Sequence, residues 1–112
     1  MNLSIERENQ RINTNRVVVS GEIDVYTAPE FKKNLLPLTE LNGGTLIVDL
    51  TKTNYMDSTA IGVIVAALKS SVKHHCKFSV VGLTPRIERL FEITGLTELI
   101  ARTQVSGGET ND

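Results

Sequence analysis

The feature that most constrains the fold is a short apolar run followed by an amphipathic helix pattern. The run, Thr45 to Leu50, has the length and composition of a buried strand. Beyond it, apolar residues recur at helical spacing between Ile61 and Val72, which predicts a helix over about Ser58 to Lys73. A strand that leads into an amphipathic helix indicates an α/β fold, because the helix buries its apolar face on the sheet.

An opening hairpin is predicted at the start of the chain. Leu3 and Ile5 alternate with polar residues, and a polar turn region at 10–16 separates them from an apolar strand at Val17 to Val19. The chain is therefore expected to open on two paired strands before its first helix.

The first helix has a start signal and an internal obstacle. Thr27 and Glu30 have the spacing of a capping box, in which each side chain bonds the other residue's backbone amide. This predicts a helix from about Ala28 to Leu41, which Pro37 would kink or shorten because proline has no amide hydrogen.

The last strand and helix follow the central helix. Phe78 to Val81 is a short apolar strand, and Thr84 before Pro85 is typical of a helix start. This helix is expected to run to about Ile93 and to end at Gly95 in the left-handed conformation.

These elements predict one mixed sheet, in which alternating helices and parallel strands follow the hairpin. Leu96, Leu99 and Ile100 are expected to return to the core. We predict a single domain over 1–105 and a polar, disordered tail over 106–112.

Composition excludes several classes of partner. The 112 residues contain 12 basic and 13 acidic residues, and the net charge of −1 gives no basic surface for nucleic acid. A single cysteine excludes an internal disulfide. No signal peptide or membrane span is visible, so we expect a cytoplasmic protein. No long apolar stripe is left exposed once the core faces are assigned, so we expect a monomer when the protein is alone.

Ser58 lies at the predicted helix start, but its surroundings do not indicate a catalytic nucleophile. Met56 and Ala60 stand where a hydrolase elbow has glycines. His74 and His75 lie at the far end of the same helix, on the order of 20 Å away at the helical rise per residue. The sequence therefore argues against an enzyme.

Two interpretations of Asp57 and Ser58 remain open from the residues alone. Both are good helix-capping types, and they can simply satisfy the free amides of the first turn. The plain cap is the commoner use of such a pair, but a phosphoserine is also compatible with that position, because the positive end of the helix dipole tolerates an anion.

Other candidate sites have weaker support. His74, His75 and Cys76 are adjacent, and no further cysteine or histidine completes a metal shell, so a solvated loop is the better interpretation. Glu22 and Asp24 flank one apolar residue, which indicates surface charge first and a partner contact second. No cofactor is predicted.

Three segments together resemble a known family. GEID at 21–24, YMDSTAIG at 55–62 and RLFEITGL at 89–96 are similar to segments of the bacterial STAS domain of anti-sigma-factor antagonists, in particular the general-stress sigma-B type. The resemblance covers nearly the whole chain.

The resemblance implies a partner switch. Ser58 would be phosphorylated by an anti-sigma factor that is also an ATP-using serine kinase, and a PP2C-type serine phosphatase would remove the phosphate. The unphosphorylated protein would sequester the anti-sigma factor and so release a sigma factor for transcription. The alternative is a STAS binding subunit of a transporter or sensory assembly that has no phosphoswitch.

The resemblance also implies a set of partner-binding residues around Ser58 and on the preceding loop. They are Glu22, Asp24, Tyr26, Asp57, Thr59, Ile61 and Gly62. One departure is Ala60, where the family often has glycine; its methyl group is expected to make the backbone slightly harder for a partner to approach.

Overall fold

The computed structural model describes residues 2–108, with 104–108 by their backbone alone. The elements are β1 Leu3–Arg11, β2 Thr14–Ile23, α1 Ala28–Leu35, a 3-10 helix Leu36–Glu40, β3 Thr45–Asp49, β4 Thr53–Met56, α2 Ser58–Lys73, β5 Lys77–Val81, α3 Pro85–Ile93 and α4 Leu96–Gly108. The predicted α/β class is confirmed.

β2 is the central strand of one mixed sheet. β1 pairs with it antiparallel, and on the other side β3 pairs parallel with Thr14 to Val18. β4 pairs parallel with the end of β2, from Gly21 to Ile23, and β5 extends the sheet beyond β3. The parallel strands therefore all end at the same edge of the sheet.

The core lies on one face of this sheet. Val17 and Val19 of β2 and Leu46 and Val48 of β3 are at most 1% exposed and alternate with residues that are mostly half-buried. α1 contacts β2, and α2 contacts β4 and β5. These apolar side chains form the core under the helices. The loops at the strand ends lie outside this core and can therefore carry a site.

The first helix is shorter than predicted. α1 ends at Leu35, and the chain continues as a 3-10 helix that contains Pro37. Proline removes an amide that an α-helix interior requires, so the tighter helix replaces the expected turns up to Leu41. Leu35 and Leu38 nevertheless both reach the core.

Three features were not predicted. The hairpin turn is tight, with Asn13 at φ 59°, so most of the expected turn region is strand. The short strand β4 lies between β3 and α2, where no sequence pattern indicates a strand. α4 begins directly after Gly95, whose φ of 80° confirms the predicted left-handed end of α3.

α4 buries Leu96, while Leu99 and Ile100 are partly buried against the core, as expected. α4 extends to Gly108, and the residues after it lie outside the part that the structure describes. The disordered tail predicted for 106–112 therefore stays a prediction.

The loop after α2 is less solvated than predicted. Cys76 is only 6% exposed, its Sγ lies 3.8 Å from the Leu38 carbonyl oxygen, and burial raises the pKa of its thiol. His74 is the C-cap of α2, and its Nδ1 lies 2.8 Å from the Ser70 carbonyl oxygen. Cys76 therefore belongs to the core rather than to a solvated loop.

A buried carboxylate organises the junction between β3 and β4. Asp49 Oδ1 accepts hydrogen bonds from the Thr51 backbone amide at 2.9 Å and the Thr51 hydroxyl at 2.6 Å, and Oδ2 pairs with Arg16. Gly82 packs against this cluster with a positive φ of 74°. The hydrogen bond from the Thr51 hydroxyl, together with that from its amide and the charge of Arg16, lowers the Asp49 pKa below its ordinary value of 3.8 although burial opposes the shift.

We expect Asp49 to make stability depend on acid pH. Because its pKa is lower in the folded state, the contribution is fully present above the unfolded value of 3.8 and is lost as pH falls through the folded pKa. In urea unfolding, the stability difference between the parent and Asp49→Asn should hold from pH 7 to about pH 5 and shrink below pH 3.8. A difference that stays constant down to pH 3 would contradict this assignment.

Candidate functional site

Ser58 is the first residue of α2, and its side chain is exposed. The residue before it, Asp57, is the N-cap: its Oδ1 accepts hydrogen bonds from the amides of Thr59 at 2.9 Å and Ala60 at 3.2 Å. Asp57 therefore fixes the first turn and presents the Ser58 hydroxyl to solvent.

The Asp57 cap leaves fewer free backbone amides at the start of α2 to bind an anion. The sequence indicates that the start of α2 favours an anion. However, the Asp57 side chain already accepts hydrogen bonds from two backbone amides of the first turn. A phosphate on Ser58 would have a carboxylate as its neighbour in the chain, so this helix start would not draw it inward. A phosphate at this position would project into solvent.

A second loop lies between β2 and α1. Asp24 Oδ1 accepts from the backbone amides of Tyr26 at 2.9 Å and Thr27 at 3.1 Å. Thr27 Oγ1 accepts from the Asp24 amide at 2.9 Å and donates to the Glu22 carbonyl oxygen at 2.8 Å. The predicted capping box of Thr27 and Glu30 is wrong, because the Thr27 hydroxyl holds the preceding loop instead and makes no cap to the helix.

The sheet brings the two loops together. Ile23 pairs with Met56, and the Asp57 amide donates to the Ile23 carbonyl oxygen at 3.2 Å. Asp24 and Ser58 each follow directly on these linked positions. The strand register therefore places both residues at one edge of the domain.

Most of the predicted contact residues are accessible at this edge. Ser58, Thr59 and Gly62 are exposed, and a Cβ on Gly62 would meet no other atom within 4 Å. Tyr26 is 75% exposed. Glu22, Asp24 and Asp57 are half-buried, in the loops described above.

One predicted contact residue, Ile61, faces the core instead, and so does Ala60, where hindrance to a partner was expected. Ile61 is 7% exposed and packs with the buried residues, so we leave it out of the contact surface. Ala60 is fully buried, so its methyl group does not face a partner and the expected hindrance to approach is absent. The 3.6-residue period of α2 explains both, because positions 60 and 61 lie on its inner side.

Other accessible residues at this edge were missed by sequence reasoning. Val25 is 57% and Tyr55 is 43% exposed, and Arg86 at the start of α3 lines a depression with Glu22 and Asp24. Tyr55 precedes the buried Met56 in a strand, and strand alternation could have placed it outward. Arg86 had no comparable signal, because only the tertiary fold brings α3 to this edge.

Among the described residues, the geometry brings no histidine to Ser58 as an activating base. His74 caps the opposite end of α2, as predicted. Within the described residues, no three histidine, cysteine or acidic side chains cluster as metal ligands. Across the same part of the chain, every helix is too short or too polar to cross a bilayer.

Comparison with known proteins gives consistent matches. The STAS domain model matches residues 7–109. An anti-sigma-B factor antagonist from Listeria monocytogenes is 43% identical over 107 residues, which are 96% of this chain and 94% of that protein. An anti-sigma factor antagonist from Mycobacterium paratuberculosis has a similar structure, with a TM-score of 0.77 at 26% identity over 88% of this chain and 82% of that one.

A further solved structure shares the fold at lower identity. The Bacillus cell fate determinant SpoIIAA in its phosphorylated form has a TM-score of 0.66 and 16% identity, and the match covers 85% of this chain and 86% of that one. The family model and the Listeria relative each span nearly the whole sequence. The chain therefore belongs to the STAS domain family.

Proposed function

We propose that this protein is an anti-sigma factor antagonist that works by partner switching in the cytoplasm. Its unphosphorylated form binds and sequesters an anti-sigma factor that is also an ATP-using serine kinase, and a sigma factor is thereby released. Phosphorylation of Ser58 ends the binding, and a PP2C-type serine phosphatase restores it. The role is one of binding, with no reaction catalysed by this chain.

One observation carries the proposal: the Ser58 hydroxyl is exposed at a capped helix start, in the middle of an accessible edge. Asp57 uses two first-turn amides, so a phosphate on Ser58 would lie on the surface that a partner contacts. The name of the 43% identical Listeria relative supports antagonism of an anti-sigma factor. The phosphorylated form of SpoIIAA, a protein of the same fold, supports regulation by phosphate.

The contact surface that we propose has three parts. Thr59 and Gly62 flank Ser58 on the outer face of α2, and Tyr26 projects from the neighbouring loop. Exposed tyrosine side chains often dominate binding energy because they bury a large area with few rotatable bonds. Glu22 and Asp24 add negative charge beside them, which favours a cationic region on the anti-sigma factor.

Mass spectrometry tests the phosphorylation site. After incubation with ATP and the anti-sigma factor of its own host, the parent should gain one phosphate on Ser58 and leave the complex on a sizing column. Ser58→Ala should gain none and stay bound, because the substitution removes only the acceptor oxygen. Thr59→Ala is the matched control: it removes the adjacent hydroxyl but keeps the amide that Asp57 caps, so phosphorylation should continue.

Two outcomes would contradict the proposal. Phosphorylation of Ser58→Ala at the rate of the parent would make the site assignment wrong. Failure of the parent to acquire phosphate, with a stable complex, would favour a constitutive binding subunit of a transporter or sensory assembly.

A further inference from the structure

A shallow groove adjoins the Ser58 edge, between the end of β4 and α3. Its volume is about 180 Å³, and its lining residues are Met56, Arg86, Ile87, Arg89, Leu90 and Ile93. Sites for cofactors and drug-sized ligands occupy roughly 300–1,000 Å³. The groove is therefore of a size for a side chain of a protein partner.

The groove combines an apolar surface with unpaired charge. Ile93 is 73% exposed although it is a large apolar residue, and Leu90 beside it is half-buried. Arg86 and Arg89 are exposed, and among the described side chains the one ion pair is that of Arg16 with Asp49. Both guanidinium groups of the groove are thus available to a partner.

The sign of the charge reverses on the other side of Arg86. A second, broader depression is lined by Glu22, Asp24, Asn54, Tyr55 and Arg86. Arg86 therefore stands between an acidic region and the apolar groove, without an ion pair to either acid. The edge presents negative and positive charge in a fixed order along one surface.

We propose that the groove binds an acidic segment of the anti-sigma factor, with an apolar side chain against Leu90 and Ile93 and carboxylates on Arg86 and Arg89. The inference rests on the proposed function, because it extends the Ser58 surface to the same partner. Continuity supports it, since Met56 lines the groove two positions before Ser58. Charge complementarity supports it as well, because the planar fork of arginine pairs with a carboxylate through two hydrogen bonds.

The arrangement would also fix the orientation of the partner. A cationic region of the anti-sigma factor would face Glu22 and Asp24, while its acidic segment would face Arg86 and Arg89. Rotating the partner by half a turn would place like charges opposite each other, which disfavours the wrong register. The charge order thus selects both the partner and its direction.

Charge reversal at the groove tests the inference. Arg86→Glu/Arg89→Glu should weaken binding of the purified host anti-sigma factor by about tenfold or more, mainly through a slower association rate, and the loss should shrink at high salt. The matched control is Arg11→Glu/Lys77→Glu, which makes the same change in net charge at the opposite end of the sheet and should bind like the parent. Ile93→Ser should weaken binding at all salt concentrations.

The outcomes separate this inference from the proposed function. If the parent binds and phosphorylation of Ser58 releases it, but the groove variant binds like the control, the groove assignment is overturned and the proposed function stands. If the parent shows no binding, both fail. If sedimentation shows that the parent self-associates and the groove variant does not, the groove seats a second copy of this chain, and the inference is overturned.

Discussion

Phosphorylation of Ser58 is expected to weaken binding of the anti-sigma factor by several hundred-fold. The phosphate carries about −1.5 to −2 charges at neutral pH. Burying it in the contact surface has a large desolvation cost, which partner cations already paired with Glu22 and Asp24 would offset only in part. An uncompensated fraction of that cost, about 3–4 kcal/mol, corresponds to this loss of affinity. The nearby acids Glu22, Asp24 and Asp57 add no compensation.

Titration calorimetry with the phosphorylated and unphosphorylated protein measures this effect. Ser58→Glu should weaken binding in the same direction but less, because a carboxylate has a single charge. Ile12→Glu adds the same charge at the tip of the hairpin, where the side chain is 87% exposed, and should leave affinity unchanged. Equal affinity of the two phosphorylation states would exclude the direct electrostatic mechanism.

Gly82→Ala is expected to be strongly destabilising, although the substitution is conservative and lies outside the contact surface. A Cβ at this position would lie 2.9 Å from both Asp49 Oδ1 and the Thr51 amide nitrogen, and closer still to Thr51 Oγ1. The overlap would displace Thr51 from Asp49, and the φ of 74° adds a conformational cost. Together we expect a loss of about 2–5 kcal/mol in the free energy of unfolding.

Gly43→Ala separates the two causes. Gly43 has nearly the same φ, 77°, but a Cβ there would meet nothing within 4 Å, so this variant should lose only about 1 kcal/mol. Urea unfolding of both variants gives the comparison. Equal losses would mean that the polar cluster around Asp49 shifts to make room for the extra methyl group. The close packing of Gly82 against that cluster would then not contribute to the free energy of unfolding.

The elements with strong local signals were predictable. α2 begins and ends where the sequence indicated, because Asp57 is a cap and the apolar period is regular up to Val72. α3 begins at Pro85 for a similar reason, with Thr84 Oγ1 accepting from the Ile87 amide. At these positions the local preference of the chain and its tertiary packing agree.

The errors occurred where tertiary contacts override local patterns. The hydroxyl of Thr27 had two possible uses, and the carbonyl oxygen of Glu22 and the amide of Asp24 prevailed over the amide of Glu30. β4 has no strand-like apolar run; it is held by pairing with β2, and Thr53 Oγ1 donates to the Val19 carbonyl oxygen. Neither outcome could be predicted without the register of the sheet.

Sequence reasoning identified residues of the accessible edge but not its full extent. Asp24 and Ser58 share it because parallel strands end together, and this follows from the order of elements alone. Arg86 and the groove beside α3 depend on how α3 packs after Gly82 and Leu83, and that packing involves contacts distant in sequence. Sequence reasoning therefore found the centre of the site and missed one flank.

The burial of Cys76 gives the protein a practical property. The chain has no other cysteine, and a thiol with a raised pKa and 6% exposure reacts slowly with alkylating reagents. A cysteine introduced at Ile12 would therefore be labelled selectively by a maleimide dye. Fluorescence anisotropy of that dye, at the end of the sheet opposite Ser58, would follow formation and release of the complex in real time without touching the contact surface.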